Sequence, residues 1–111
     1  MKIITAIIQP FMLNKITSAL EAMEGFPGLT VTEARGFGSR RSLHEQHSLQ
    51  VNELKNKTRI EIVAPDEKAT QIVETLVRIA HTGNQGDGKV FVWPIETAVR
   101  IQTGEKDNAA L

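Results

Sequence analysis

The chain has 111 residues, in which 13 Lys and Arg are balanced by 13 Asp and Glu, with no cysteine and no tyrosine. That length bounds one domain, residues 1–111, burying roughly two thirds of its unfolded surface, and the neutral balance gives no reason to expect a nucleic-acid or membrane-surface partner. The lack of cysteine excludes disulfides and thiolate metal sites and suits a reducing cytoplasm; the early Pro10 and the absence of a long apolar run leave no targeting segment or membrane span to expect.

In chain order, Lys2-Ile3-Ile4-Thr5-Ala6-Ile7-Ile8 is β-branched and apolar on both sides, as a central strand would be. After Pro10, Met12, Leu13, Ile16, Ala19, Leu20 and Met23 recur at helical spacing. Gly25-Phe26-Pro27-Gly28 breaks that helix, and Leu29-Thr30-Val31-Thr32-Glu33-Ala34-Arg35 alternates as a second strand closed by Gly36-Phe37-Gly38. Residues 39–56 fit neither period, and so long a loop in a small domain is usually functional or disordered. Lys57-Thr58-Arg59-Ile60-Glu61-Ile62-Val63 alternates again, with Ile60 and Ile62 on one face and Arg59 and Glu61 on the other. Pro65-Asp66-Glu67 starts a second helix with acidic residues at its positive end, and Ala69, Ile72, Val73, Leu76, Val77 and Ala80 form its apolar face. His81 sits at the other end, where the dipole favours it. Val90-Phe91-Val92-Trp93 makes a fourth strand, and the polar segment 102–111 is expected to be flexible.

Between the second helix and the fourth strand lies Thr82-Gly83-Asn84-Gln85-Gly86-Asp87-Gly88-Lys89. Its glycines permit positive φ and can aim N–H groups at one point, to which Lys89 adds a mobile charge. The spacing from Gly83 to Lys89 is that of a Walker A loop, but Val90 replaces the magnesium-binding Ser or Thr. A Walker loop also follows a strand and opens a helix, whereas this one does the reverse. Two readings stand on spacing: a tight helix-to-strand connection, or a phosphate site of another architecture.

The order strand, helix, strand, strand, helix, strand is the split βαβ, or ferredoxin-like, α+β arrangement, an antiparallel sheet with both helices on one face. A monomer would leave the other face bare, so self-association is expected to cover it.

Five stretches together carry a family resemblance: Ile7-Ile8-Gln9-Pro10-Phe11; Gly28-Leu29-Thr30-Val31-Thr32-Glu33 running on to Gly36-Phe37-Gly38; Lys57-Thr58-Arg59-Ile60-Glu61-Ile62-Val63; the glycine loop; and Val99-Arg100-Ile101-Gln102-Thr103-Gly104-Glu105. In this order they resemble the PII signal-transduction proteins over nearly the whole chain except residues 39–56. The resemblance implies a compact homotrimer with an adenine nucleotide (ADP, AMP or ATP) in each cleft between subunits, and a protruding loop at 39–56 that reports ligand state to a target.

Carried over residue by residue, it assigns the phosphates to Gly86, Asp87, Gly88 and Lys89, with Gly36, Phe37 and Gly38 near the nucleotide at the loop root. Ile7, Glu61 and Val63 would enclose it from the same subunit, and Leu29, Thr30 and Arg100 from the neighbour. Lys89 can neutralise phosphate, Arg100 can add a bidentate contact, and Thr30 can hydrogen-bond the base. Each also has a plain structural role to weigh: Arg100 as a half-exposed strand residue, Thr30 as β-branched filler, Glu61 as a solvated position.

The departures from the family pattern are specific. Ser39 stands where an arginine usually follows Gly-Phe-Gly, Arg40 replaces the next glutamine, and Gln102 replaces a second arginine. Each missing cationic contact is worth about 1.5–3 kcal/mol, so ATP should lose more than ADP or AMP. The residue replaced by Arg40 helps the family hold magnesium and 2-oxoglutarate, which leaves a role for Mg²⁺ unassigned here.

The loop reads as shorter than the usual form, and without tyrosine it offers no site for tyrosine uridylylation. Over residues 39–57, Arg40, Arg41, Lys55 and Lys57 against Glu45 and Glu53 leave 4 − 2 = +2, which suits an acidic partner. Arg40 and Arg41 are candidate steering charges, and Leu43, Leu49, Val51 and Leu54 candidate anchors for that partner. His44 and His47, with Glu45 between them, fall short of the three or four ligands a metal site needs, so no metal is assigned.

The resemblance points to a noncatalytic regulator of a membrane transporter or metabolic enzyme, in nitrogen regulation or, alternatively, in metal efflux or inorganic-carbon uptake. A weak nucleotide hydrolase is the rival class. It lacks support, because no nucleophile–base pair or carboxylate cluster accompanies the glycine loop.

Overall fold

The structure, a computed structural model, describes residues 1–38 and 54–111. Strand β1 spans Lys2–Ile8 and leads through a 3-10 turn at Pro10–Met12 into α1, Leu13–Glu21. Strands β2, Thr30–Gly36, and β3, Lys55–Ala64, follow; then come α2, Asp66–Ala80, β4, Gly88–Pro94, and a 3-10 turn at Asp107–Ala110. The four strands form one antiparallel sheet in the order β2-β3-β1-β4, so β1 is central as expected.

Alternation decides which face is covered. Ile4, Ala6 and Ile8 of β1 and Ile60, Ile62 and Ala64 of β3 form one buried cluster with Ile16 and Leu20 of α1 and Ile72 and Leu76 of α2. Both helices therefore lie on one side of the sheet, and the architecture is the ferredoxin-like α+β fold. Burying each of the large aliphatic side chains contributes about 1.5–3 kcal/mol before chain entropy is charged against it. Asp66 and Glu67 occupy the first turn of α2 and Arg78 its last, the arrangement that complements the helix dipole.

The other face carries cross-strand rows set by the register: Val63, Ile3 and Trp93; Thr30, Glu61, Thr5 and Phe91; and Thr32, Arg59, Ile7 and Lys89. Phe91 and Trp93 remain 48% and 44% exposed. Thr5, at the middle of this face, is buried, and its hydroxyl has no hydrogen-bond partner among the described residues.

Three boundaries differ from the pattern-based reading. The first turn after Pro10 is 3-10, because Pro10 starts it and Met12 N–H reaches only back to the Gln9 carbonyl at 3.0 Å. Strand β3 begins at Lys55, with Lys55 and Asn56 paired to Gly36 and Arg35, so the end of the segment read as loop is strand. Strand β4 begins at Gly88, and Gly88 and Lys89 pair with Ile8 and Ile7. Neither pair of residues carries the apolar alternation by which a strand is recognised.

The segment 102–111 includes residues held by main-chain bonds: Gly104 N–H to the Arg100 carbonyl at 2.7 Å and Asp107 N–H to the Ala98 carbonyl at 2.7 Å. Arg40, Arg41, Leu43, His44, His47, Leu49 and Val51, with Ser39, lie outside the described residues. Leu54 is exposed immediately before β3.

Candidate functional site

The glycine loop is organised by Asp87. Its carboxylate accepts the Thr82 N–H at 2.7 Å, the Gly83 N–H at 3.0 Å and the Thr82 hydroxyl, while Asn84 N–H donates to Thr82 Oγ1 at 3.2 Å. These donors, the Thr82 hydroxyl first, hold the Asp87 carboxyl below its ordinary range, and His81 Nδ1 stands 3.8 Å from it. Asp87 is thus a brace whose negative charge is spent inside the loop. Any phosphate contact at this loop would therefore draw on Lys89 and main-chain donors rather than on that carboxylate.

Lys57, on β3, ties this loop to the start of the chain. Its ammonium donates to the Gly86 carbonyl at 3.0 Å and to Gln9 Oε1 at 3.4 Å. Gly86 has φ 90°, so the position favours glycine for its conformation, and a Cβ there would displace the ends of the Gln9 and Lys57 side chains, at 2.8 and 3.3 Å. Sequence reasoning overlooked Gln9 and Thr82 as parts of the site. Gln9 lay within the quoted Ile7 to Phe11 motif, but nothing local said that its side chain would reach across to residue 86.

Most of the other candidates line one of two concavities of the same chain, whereas Gly36, Phe37, Gly38 and Gly86 line neither. One, about 150 Å³, is lined by Ile7, Asp87, Gly88 and Lys89 together with Leu76 and Ala80 of α2. The other, about 490 Å³, is lined by Leu29, Thr30, Glu61, Val63 and Arg100 with Ala110 and Leu111. Glu61 and Val63, assigned above to the side of the cleft that holds Ile7, share a pocket with Leu29, Thr30 and Arg100 of their own chain. The register is the reason, since Thr30 pairs directly with Glu61.

Around that second pocket, Arg59 Nε lies 3.3 Å from Glu61 Oε1, and Arg100 Nη2 donates to the Leu111 main-chain oxygen at 3.3 Å. Gly36 ends β2 opposite Lys55, and Phe37, 55% exposed, and Gly38 follow it toward the loop root. Among the described residues no cluster of three or more His, Asp or Glu is placed to hold a metal, and no helix is long and apolar enough to cross a membrane.

The described residues thus form a ferredoxin-like sheet with both helices on one face, a glycine loop braced by Asp87, and two separate concavities. The family model for Nitrogen regulatory protein P-II matches residues 1–105. The chain is 45% identical to Nitrogen regulatory protein P-II 1 of Escherichia coli K12 over 114 residues, covering all of both chains. It is 43% identical to Nitrogen regulatory protein P-II of Azospirillum brasilense and 42% identical to that of Synechocystis sp., each over 113 residues and the whole of both chains. The chain belongs to the P-II family. These relatives are named as regulatory proteins, in keeping with the expectation of a signalling chain that is not an enzyme.

Proposed function

We propose that this chain is a P-II-type nitrogen-signalling regulator that binds adenine nucleotide between subunits of a homotrimer and works in the cytoplasm. ADP or AMP binds at least as well as ATP, and the signal passes through residues 39–56 to a transporter or metabolic enzyme. The observation that carries this reading is the division of the candidate residues into two half-sites on one chain. One offers Lys89 and the main chain of Asp87 and Gly88 at a small concavity, and the other offers Thr30, Glu61, Val63 and Arg100. A space of about 150 Å³ is smaller than the several hundred Å³ a ligand of nucleotide size needs, so the first half-site calls for a second wall.

The uncovered face supplies a reason for that wall to be another copy. Ile3, Phe91 and Trp93 are an apolar set that one chain leaves partly in water, and closed symmetric association is the usual way such a face is covered. Calorimetric titration of the purified protein with ADP, AMP and ATP tests the reading. Saturable binding at one nucleotide per chain supports it, and no heat with any of the three overturns it.

A further inference from the structure

The second half-site is occupied in part by the chain itself. Over residues 101–111 every side chain is exposed except Ala110 and Leu111, which are half-buried, and these two line the pocket with Leu29, Thr30, Val63 and Arg100. The Leu111 main-chain oxygen also takes a hydrogen bond from the Arg100 guanidinium at 3.3 Å. We propose that residues 107–111 are a strap that closes the Arg100 half-site in the free chain and is displaced when an anionic ligand engages Arg100.

The strap competes in two ways. Ala110 and Leu111 take up apolar wall that a planar base would otherwise cover, and the Leu111 main-chain oxygen holds one arm of a guanidinium that a dianionic phosphate could hold bidentately. Its own attachments are few. Beyond Lys106 it is held by Asp107 N–H to the Ala98 carbonyl at 2.7 Å, by Ala98 N–H to Asp107 Oδ1 at 3.4 Å, and by a long 3.3 Å bond from Leu111 N–H to the Asn108 carbonyl. Asp107 turns the chain at φ 56°, a left-handed conformation that Asp tolerates better than most non-glycine residues. The turn before it is independent of the strap, being closed by Arg100 N–H to the Glu105 carbonyl at 2.9 Å and by the bridge between Val99 and Lys106.

The proposal rests on the nucleotide reading above, and the test separates the two. Hydrogen exchange on the full chain, with and without saturating ADP, reports the amides of Asp107 and Leu111 directly, and both should exchange faster with ADP bound. A chain ending at Lys106, checked for an unchanged circular dichroism spectrum, should bind ADP about three- to tenfold more tightly, the release of one modest hydrogen bond and its packing. Equal or weaker binding by the shortened chain, or tail amides that ADP leaves unchanged or protects further, overturns the strap while the nucleotide reading stands. Failure of ADP to bind either chain removes that reading, and the strap with it.

Discussion

A Cβ added to Gly88 would lie 1.7 Å from the main-chain oxygen of Ile7, inside any allowed contact, and Gly88 has φ 105°. The first residue of β4 is thus pressed against β1 at the point where the glycine loop becomes sheet, so the loop's last glycine is fixed by packing as well as by any ligand. Gly88→Ala should cost about 2–5 kcal/mol, combining left-handed strain with a backbone clash that no rotamer can relieve. Urea unfolding is the check, and a midpoint equal to that of the unaltered chain would show that the two strands separate easily here.

The Asp87 brace predicts a pH dependence with a definite sign. Its carboxyl is lowered below the ordinary 3.8 by the Thr82 hydroxyl, then the Thr82 and Gly83 amides. A depressed folded value means that the stabilisation is present above the unfolded pKa and is lost as pH falls through the folded one. Asp66, lowered by the Met1 amine and Lys2, adds a background of the same sign, so the comparison must be between variants. Asp87→Asn should be less stable than the parent near neutral pH, and the difference should close as both are acidified to about pH 2. Thermal melts at several pH values decide it; a difference that grows in acid would contradict the brace.

How much of this was legible beforehand follows from the range of each signal. The alternation of Ile60 and Ile62 against Arg59 and Glu61, and the helical spacing of Ile72 and Leu76, are local patterns, and both survive in the structure. The pairing of Thr30 with Glu61 depends on the offset between two strands separated by a long connection. No local pattern encodes that offset, so the pocket that Glu61 and Val63 share with Thr30 within one chain is legible only in the structure. The place of Asp87 in the glycine loop is visible in the sequence, whereas the turning of its carboxylate back onto Thr82 and Gly83 is not.

Lys89 tests the half-site it belongs to. It is the second residue of β4, pairs with Ile7 and is among the residues lining the small concavity. A charge-assisted contact to phosphate is worth about 1.5–3 kcal/mol, so Lys89→Ala should weaken ADP binding by roughly tenfold or more. With Ser39 and Gln102 in place of arginines, ADP should bind at least as tightly as ATP. Calorimetry measures both, and an ATP affinity far above that for ADP, or a variant that binds ADP as the parent does, would mean that the phosphates lie elsewhere.

Trp93 tests the assembly. It pairs with Ile3 on the face away from the helices and is 44% exposed, and Phe91, on the same face of β4, is 48% exposed. Covering a large aromatic side chain contributes about 1.5–3 kcal/mol, and in a threefold assembly each copy would supply one. The parent chain should therefore scatter light as a trimer at micromolar concentration. Trp93→Glu, which puts a charge where apolar surface would be buried but leaves the helix-side core untouched, should shift the mass toward the monomer while the circular dichroism spectrum holds. Because both half-sites would lose their second wall, the same variant should lose ADP binding although it alters no residue assigned to the nucleotide. A parent that is monomeric at those concentrations, or a Trp93→Glu protein that stays trimeric, would show that this face is not where the copies meet.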